Sequence, residues 1–186
     1  MYLRIKIITM IKLLPLLFII VLFSCNSKKR EIQKIIQEWN QKTIIFPTLE
    51  TKFMGKDTIC NDLLKSKYKI VSYVDTSNCA PCSLRLYDWK IFMNEIHKKN
   101  QDVNFIFILH LKDYDEYVKL QIKNKFTNPV FYDPTNLFYK ENKLPQNTIF
   151  HTFLIDDTNK VIAIGDPISN FEIRELYTQL IDSLKI

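Results

Sequence analysis

Two cysteines stand two residues apart in Cys79-Ala80-Pro81-Cys82, four positions beyond the largely apolar run Lys69-Ile70-Val71-Ser72-Tyr73-Val74-Asp75. Leu86, Trp89, Met93 and Ile96 continue from Cys82 at three- and four-residue steps, so the spacing predicts a buried strand over 69–75 and a helix from about Cys79 to Lys99. A dithiol at such a junction has a definite chemistry. The first sulfur sits where unpaired backbone NH groups and the helix dipole favour an anion, which makes Cys79 the expected nucleophile. Cys82 lies one turn on, close enough to resolve a mixed disulfide. Pro81 suits an early helical position, where a missing NH costs nothing. No second Cys-X-X-Cys or His-X-X-His accompanies the pair, so a four-ligand zinc cluster is not indicated.

The pattern around this centre repeats the strand–helix theme. Val103 to Leu109 is a second buried-strand candidate, and Asp113 to Lys123 returns to helical spacing through Tyr114, Tyr117, Val118 and Ile122. Val130 to Tyr132 forms a short strand before Asp133-Pro134. Thr152–Ile155 and Val161–Ile164 flank a polar turn and predict an antiparallel hairpin, followed by a helix over Asn170–Leu184 with Asn170 as its cap. Upstream, Ile32, Ile35, Ile36 and Trp39 mark a helix over Glu31–Gln41. Thr43-Ile44-Ile45-Phe46 reads as a strand ending at Pro47, and Leu49–Ile59 as a hairpin turning at Met54-Gly55-Lys56-Asp57. The order β-α-β-α-β-β-α predicts an α/β fold, a mixed sheet with helices on both faces.

The N-terminus has another character. Met1 to Lys12 carries only positive charges, and Leu13 to Phe23 is an apolar run broken by Pro15, the layout of a secretory signal over residues 1–24. Leu22-Phe23-Ser24-Cys25 resembles a bacterial lipobox, with Phe23 as a departure. Cys25 is thus the expected lipidation site, 25–30 a polar tether, 31–52 an N-terminal extension and 53–186 the main domain. The expected location is the cell envelope, anchored by lipid and facing the periplasm or the exterior.

Composition removes other classes. Only two glycines, Gly55 and Gly165, leave no phosphate loop or dinucleotide fingerprint. The net charge of +6 includes Arg4, Lys6 and Lys12 of the leader, and the remainder is spread over mixed faces, so nucleic acid is not an expected partner.

On the dithiol, its strand and helix, and the Thr152–Asp156 and Lys160-Val161-Ile162 strands, residues from about Phe53 to Leu184 resemble the thioredoxin superfamily. The likeness is greatest to membrane-tethered periplasmic thiol:disulfide oxidoreductases of the cytochrome-maturation type and to small lipoproteins of Bacteroidota-type bacteria. The resemblance implies thiol:disulfide exchange with extracytoplasmic proteins and no cofactor beyond the redox-active disulfide. Asn78 stands where the family has an aromatic residue, and Phe150 or His151 where it has a cis-proline facing the dithiol; Pro145 is too far upstream to replace it. His151 thereby becomes a further site candidate, an imidazole able to stabilise a thiolate. It could also join Cys79 and Cys82 in a three-ligand Cu(I) site, the metal-carrier alternative; a non-catalytic binding module is the third reading. Cys60 is expected to be buried in or beside a strand. Asp75 and Asp88 are candidate proton-relay carboxylates, and His97 and His110 receive no role.

Overall fold

The computed structural model describes residues 28–75 and 84–184. Residues 28–39 are helical (α1) and belong to an N-terminal unit ending at Trp39. The unit that begins at Asn40 carries the other elements. These are strands β1 (Glu50–Phe53), β2 (Lys56–Asp57), β3 (Tyr68–Asp75), β4 (Val103–His110), β5 (Val130–Tyr132), β6 (Thr152–Ile155) and β7 (Val161–Ile164). Its helices are α2 (Asn61–Leu64), α3 (Leu86–Lys99), α4 (Tyr114–Lys123), α5 (Leu137–Asn142) and α6 (Phe171–Ser183), with a 3₁₀ turn at Thr148–Phe150.

The strands form one sheet in the order β2-β1-β5-β4-β3-β6-β7. β3, β4 and β5 run parallel; β6 and β7 on one side and β1 and β2 on the other are antiparallel. Successive strand residues face opposite sides of the sheet, so register divides the core in two. Ile70, Phe105, Phe107 and Leu154 share one face, where Trp89 of α3 meets Phe107 edge-on at 5.0 Å and Phe92 meets Phe105 at 6.1 Å. Tyr177 and Ile181 of α6 and Tyr117 of α4 join this cluster. Tyr73 faces the other way and stacks on Phe138 of α5, 5.9 Å between centroids. Consecutive parallel crossovers that progress in one direction across a sheet deliver their helices to one face, which is why α3 and α4 share a side and α5 covers the opposite one.

The expected strand over 43–46 does not form. Only Thr43 bridges Lys160, and the chain instead runs along the outer edge of β7, with Gln41 N–Val161 O at 3.0 Å and Ile44 N–Asn159 O at 2.8 Å. Ile45 is bound on both backbone groups by the Asn142 side chain at 2.8 Å, a partner no strand pattern reveals. The helix expected from Cys79 to Lys99 is interrupted: Arg85 is left-handed (φ 38°), and α3 starts after it with Trp89 N bonding Arg85 O. Cys60 is half-buried at the head of α2, not in a strand. The two short helices α2 and α5 have no counterpart in the expected order.

Candidate functional site

The parallel strands β3, β4 and β5 end on the same edge, with Asp75 in register with His110 and Asp133 just beyond Tyr132. A cavity of about 230 Å³ opens at the end of β3. Its walls are Ser72 to Asp75 of β3, Arg85 and Trp89, Thr148 and His151 of the loop before β6, Thr152, and Asp166, Ile168 and Ser169 of the loop before α6. Asp75 and Arg85 are the described residues nearest in sequence, on either side, to the segment 76–83 apart from Leu84. Cys79 and Cys82 lie in that segment, outside the described residues, as do Cys25 and the leader.

His151 is 4% exposed. Its Nε2 lies 2.7 Å from the Pro145 carbonyl, and its ring is held edge-on between Tyr73 (5.5 Å) and Tyr139 (5.9 Å). The 3₁₀ turn that delivers it is capped by Asn147, whose side chain accepts from Ile149 N, and the His151 carbonyl accepts from Tyr73 N at 2.9 Å. Burial lowers the imidazole pKa, against smaller opposing effects of the Pro145 carbonyl and the Asp75 carboxylate. The ring is therefore neutral at pH 7. With a proton on Nε2 donated to Pro145, Nδ1 is the nitrogen left for an acceptor or ligand role. Among the described residues no three His, Cys, Asp or Glu side chains are grouped as a metal set.

Tyr73 donates to Asn136 Oδ1 at 2.7 Å, and burial, with Asp75 and Asp133 nearby, pushes its phenol well up. It is a neutral donor. Asp133 is fully buried and accepts from the first NH groups of α5, Leu137 N at 2.8 Å and Phe138 N at 2.9 Å. The carboxylate thus fixes the helix whose Phe138 and Tyr139 pack around Tyr73 and His151. His110 Nδ1 sits 2.8 Å from the Asp133 carbonyl, and His97 Nε2 lies 3.0 Å from Val103 O, so both play structural parts.

On the opposite wall, Arg85 Nε donates to Asp88 at 2.9 Å and its Nη1 to Ser169 Oγ at 3.0 Å; Ser169 in turn donates to Asp166, which also accepts from Ile168 N at 2.8 Å. Of the expected site residues, His151 and Asp75 therefore line one cavity, while Asp88 reaches it only through Arg85. Arg85, Thr148, Asp166 and Ser169 were not foreseen. Arg85 is the first cation after the dithiol, and Asp166-Pro167-Ile168-Ser169-Asn170 has the composition of a tight loop before a helix, but neither signal reveals that the two meet.

No protein-family model matches the chain, and no curated protein does. Solved structures do. A peroxidoxin BcpB from Mycobacterium tuberculosis superposes with a TM-score of 0.58 at 12% identity, covering 79% of this chain and 98% of that one. A proposed protein disulfide isomerase from Bacteroides thetaiotaomicron gives 0.57 at 17% identity over 78% and 89%, and a proposed thiol-disulfide oxidoreductase from Bacteroides vulgatus 0.51 at 18% over 74% and 90%. The fold is thioredoxin-like. In a thioredoxin-like fold the edge at which β3 ends, opposite the loop before β6, is where this chain has its cavity, Asp75 and His151. No helix among the described residues is long and apolar enough to cross a membrane.

Proposed function

We propose that the chain is an extracytoplasmic thiol:disulfide oxidoreductase, lipid-anchored through Cys25, that works through Cys79 and Cys82. The observation that carries this reading is the cavity whose walls include both Asp75 and Arg85. In sequence, the eight residues from Thr76 to Ser83 fall between Asp75 and Leu84-Arg85, and they contain the uncharged Cys-X-X-Cys segment. In the reaction, the Cys79 thiolate attacks one sulfur of a substrate disulfide, forming a mixed disulfide and expelling a substrate thiolate that takes up a proton. The Cys82 thiolate then attacks Cys79, releasing the second substrate thiol and leaving the Cys79–Cys82 disulfide. Two electrons and two protons pass to the substrate, and the reverse sequence oxidises a dithiol. His151, fixed by Pro145 on the cavity wall, supports the reading as a group that can accept a proton at Nδ1 without contributing a permanent charge.

The test uses the full chain in neutral detergent. Reduction of a model protein disulfide is measured beside titration of Cys79/Cys82 in glutathione buffers, with Cu(I) stoichiometry and consumption of hydrogen peroxide as parallel arms. Exchange abolished by Cys79→Ser, and a trapped mixed disulfide with Cys82→Ser, are the expected results. A pair that titrates as two independent thiols and exchanges with nothing would defeat the proposal; one tightly held Cu(I), lost in His151→Gln, would replace it with the carrier reading.

A further inference from the structure

His151 is held by an element that is itself held from elsewhere. The six residues of α5 make too few internal hydrogen bonds to form a helix alone. They are also bracketed by two left-handed residues, Asn136 (φ 59°) and Lys143 (φ 52°), a conformation that persists in non-glycine residues only where the surroundings enforce it. At the start of α5, Asp133 accepts from Leu137 N and Phe138 N, and Asn136 Oδ1 accepts from the Tyr73 hydroxyl at 2.7 Å. At its end the support comes from the segment 41–46, which belongs to the same unit as the site. Asn142, 2% exposed, accepts from Ile45 N at 2.8 Å through Oδ1, while its Nδ2 donates to Ile45 O at 2.8 Å and to Phe138 O at 3.0 Å. The Lys42 ammonium donates to the Asn142 carbonyl at 2.6 Å. Phe46 packs on Phe138, 5.9 Å between centroids, and Phe138 stacks on Tyr73 at 5.9 Å. Tyr73 and Tyr139 in turn meet the His151 ring edge-on. A continuous series of contacts therefore joins the segment laid along the edge of β7 to the imidazole.

Resting on the exchange reading, in which His151 accepts a proton, we infer that Asn142 and Tyr73 are positioning residues for His151. The segment 41–46 fixes α5 through Asn142, and α5 fixes the ring through Tyr139 directly and through Asn136 and Phe138 by way of Tyr73. What this support maintains is the bond from Nε2 to the Pro145 carbonyl at 2.7 Å, because only while Nε2 carries the proton is Nδ1 an acceptor. Loosening α5 lets that bond open and the proton redistribute between the two nitrogens.

The test observes the ring by nitrogen NMR in the full chain, labelled in its histidine rings and kept in neutral detergent near neutral pH. The chain has three histidines, and His151→Gln assigns the signals of this one. The wild type is expected to show a single Nε2–H tautomer whose proton exchanges slowly with water. Asn142→Ala should speed that exchange about tenfold, and Tyr73→Phe, which keeps the ring and removes only the hydroxyl, about fivefold, each with the Nδ1–H tautomer appearing. Because both act through α5, the effect of the double variant should fall short of the product of the two. Asp113→Ala, which uncaps α4 outside this network, should leave the His151 signals unchanged and so separates positioning from a general loss of stability. An unaltered tautomer and exchange rate in both Asn142→Ala and Tyr73→Phe overturns the inference, as does an equal change in Asp113→Ala. Disulfide exchange measured in parallel should slow in Asn142→Ala and Tyr73→Phe. A wild type that exchanges no disulfide defeats the exchange reading, while the ring signals still decide the positioning.

Discussion

Asp133→Ala isolates the carboxylate that organises the wall opposite Arg85. Asp133 is fully buried, and its two oxygens accept from Leu137 N and Phe138 N at 2.8 and 2.9 Å. Leu137 is 38% exposed, so its freed NH finds water; Phe138 is completely buried, so its NH does not. A hydrogen bond to a charged group contributes about 1.5–3 kcal/mol, and a buried donor left unpaired costs about 1–3 kcal/mol, part of which is offset because an ion no longer has to be desolvated. The expected loss is about 2–4 kcal/mol. Asp133→Asn, which keeps one acceptor, is expected to lose about 1–2 kcal/mol. Asp113 supplies the internal comparison: it caps α4 by accepting from Glu116 N at 2.9 Å on an exposed surface, so Asp113→Ala should cost about 1 kcal/mol. Urea unfolding of the full chain followed by tryptophan fluorescence, with m-values held equal, gives all three. An Asp133→Ala loss no larger than that of Asp113→Ala would refute the claim that burial, rather than capping alone, gives this carboxylate its weight.

Phe92→Ala empties a fully buried position that touches Trp89 and Phe105, and about 3–5 kcal/mol should be lost in the same urea assay; a loss under about 1 kcal/mol would mean this face is loosely packed. Gly55→Ala places a Cβ 3.1 Å from Val118 Cγ2 at φ +77°, so about 1–2 kcal/mol should be lost, and Val118→Ala should relieve only the contact part, leaving the cost of the left-handed backbone. His151 has a folded-state pKa below its unfolded value, so the unfolded chain binds the proton first as pH falls. Stability relative to His151→Gln should therefore be greatest above the unfolded value of about 6.5 and decline as pH drops below it toward the lower folded value. Parallel pH–stability curves for the two proteins would show that the imidazole is not held neutral by burial.

The central strands of the sheet were legible because they are buried on both faces and announce themselves as apolar runs. Val103–His110 and Tyr68–Asp75 needed no tertiary information, and Asn170, expected as a helix cap, does cap by accepting from Ile173 N. What escaped notice shares one cause. Thr43–Phe46 has the β-branched composition of a strand, but Ile44 N bonds Asn159 O and Ile45 is bound by the Asn142 side chain, a contact nearly a hundred residues apart. The six residues of α5 are too few for a periodicity, and its capping carboxylate lies four residues before Leu137 with Pro134 and a left-handed Asn136 between. The break at Arg85 leaves the apolar spacing of α3 intact, so the spacing could not disclose it.

The candidate site was legible only where chemistry is written in residue type. His151, singled out at the loop before β6, does line the cavity, while Cys79 and Cys82 lie outside the described residues; charge gave no lead, because sign along a chain says little about which side chains share a wall. Asp75 ends β3, Arg85 precedes α3 and Asp166 lies in the loop before α6, and nothing in their sequence positions says that the three line one cavity.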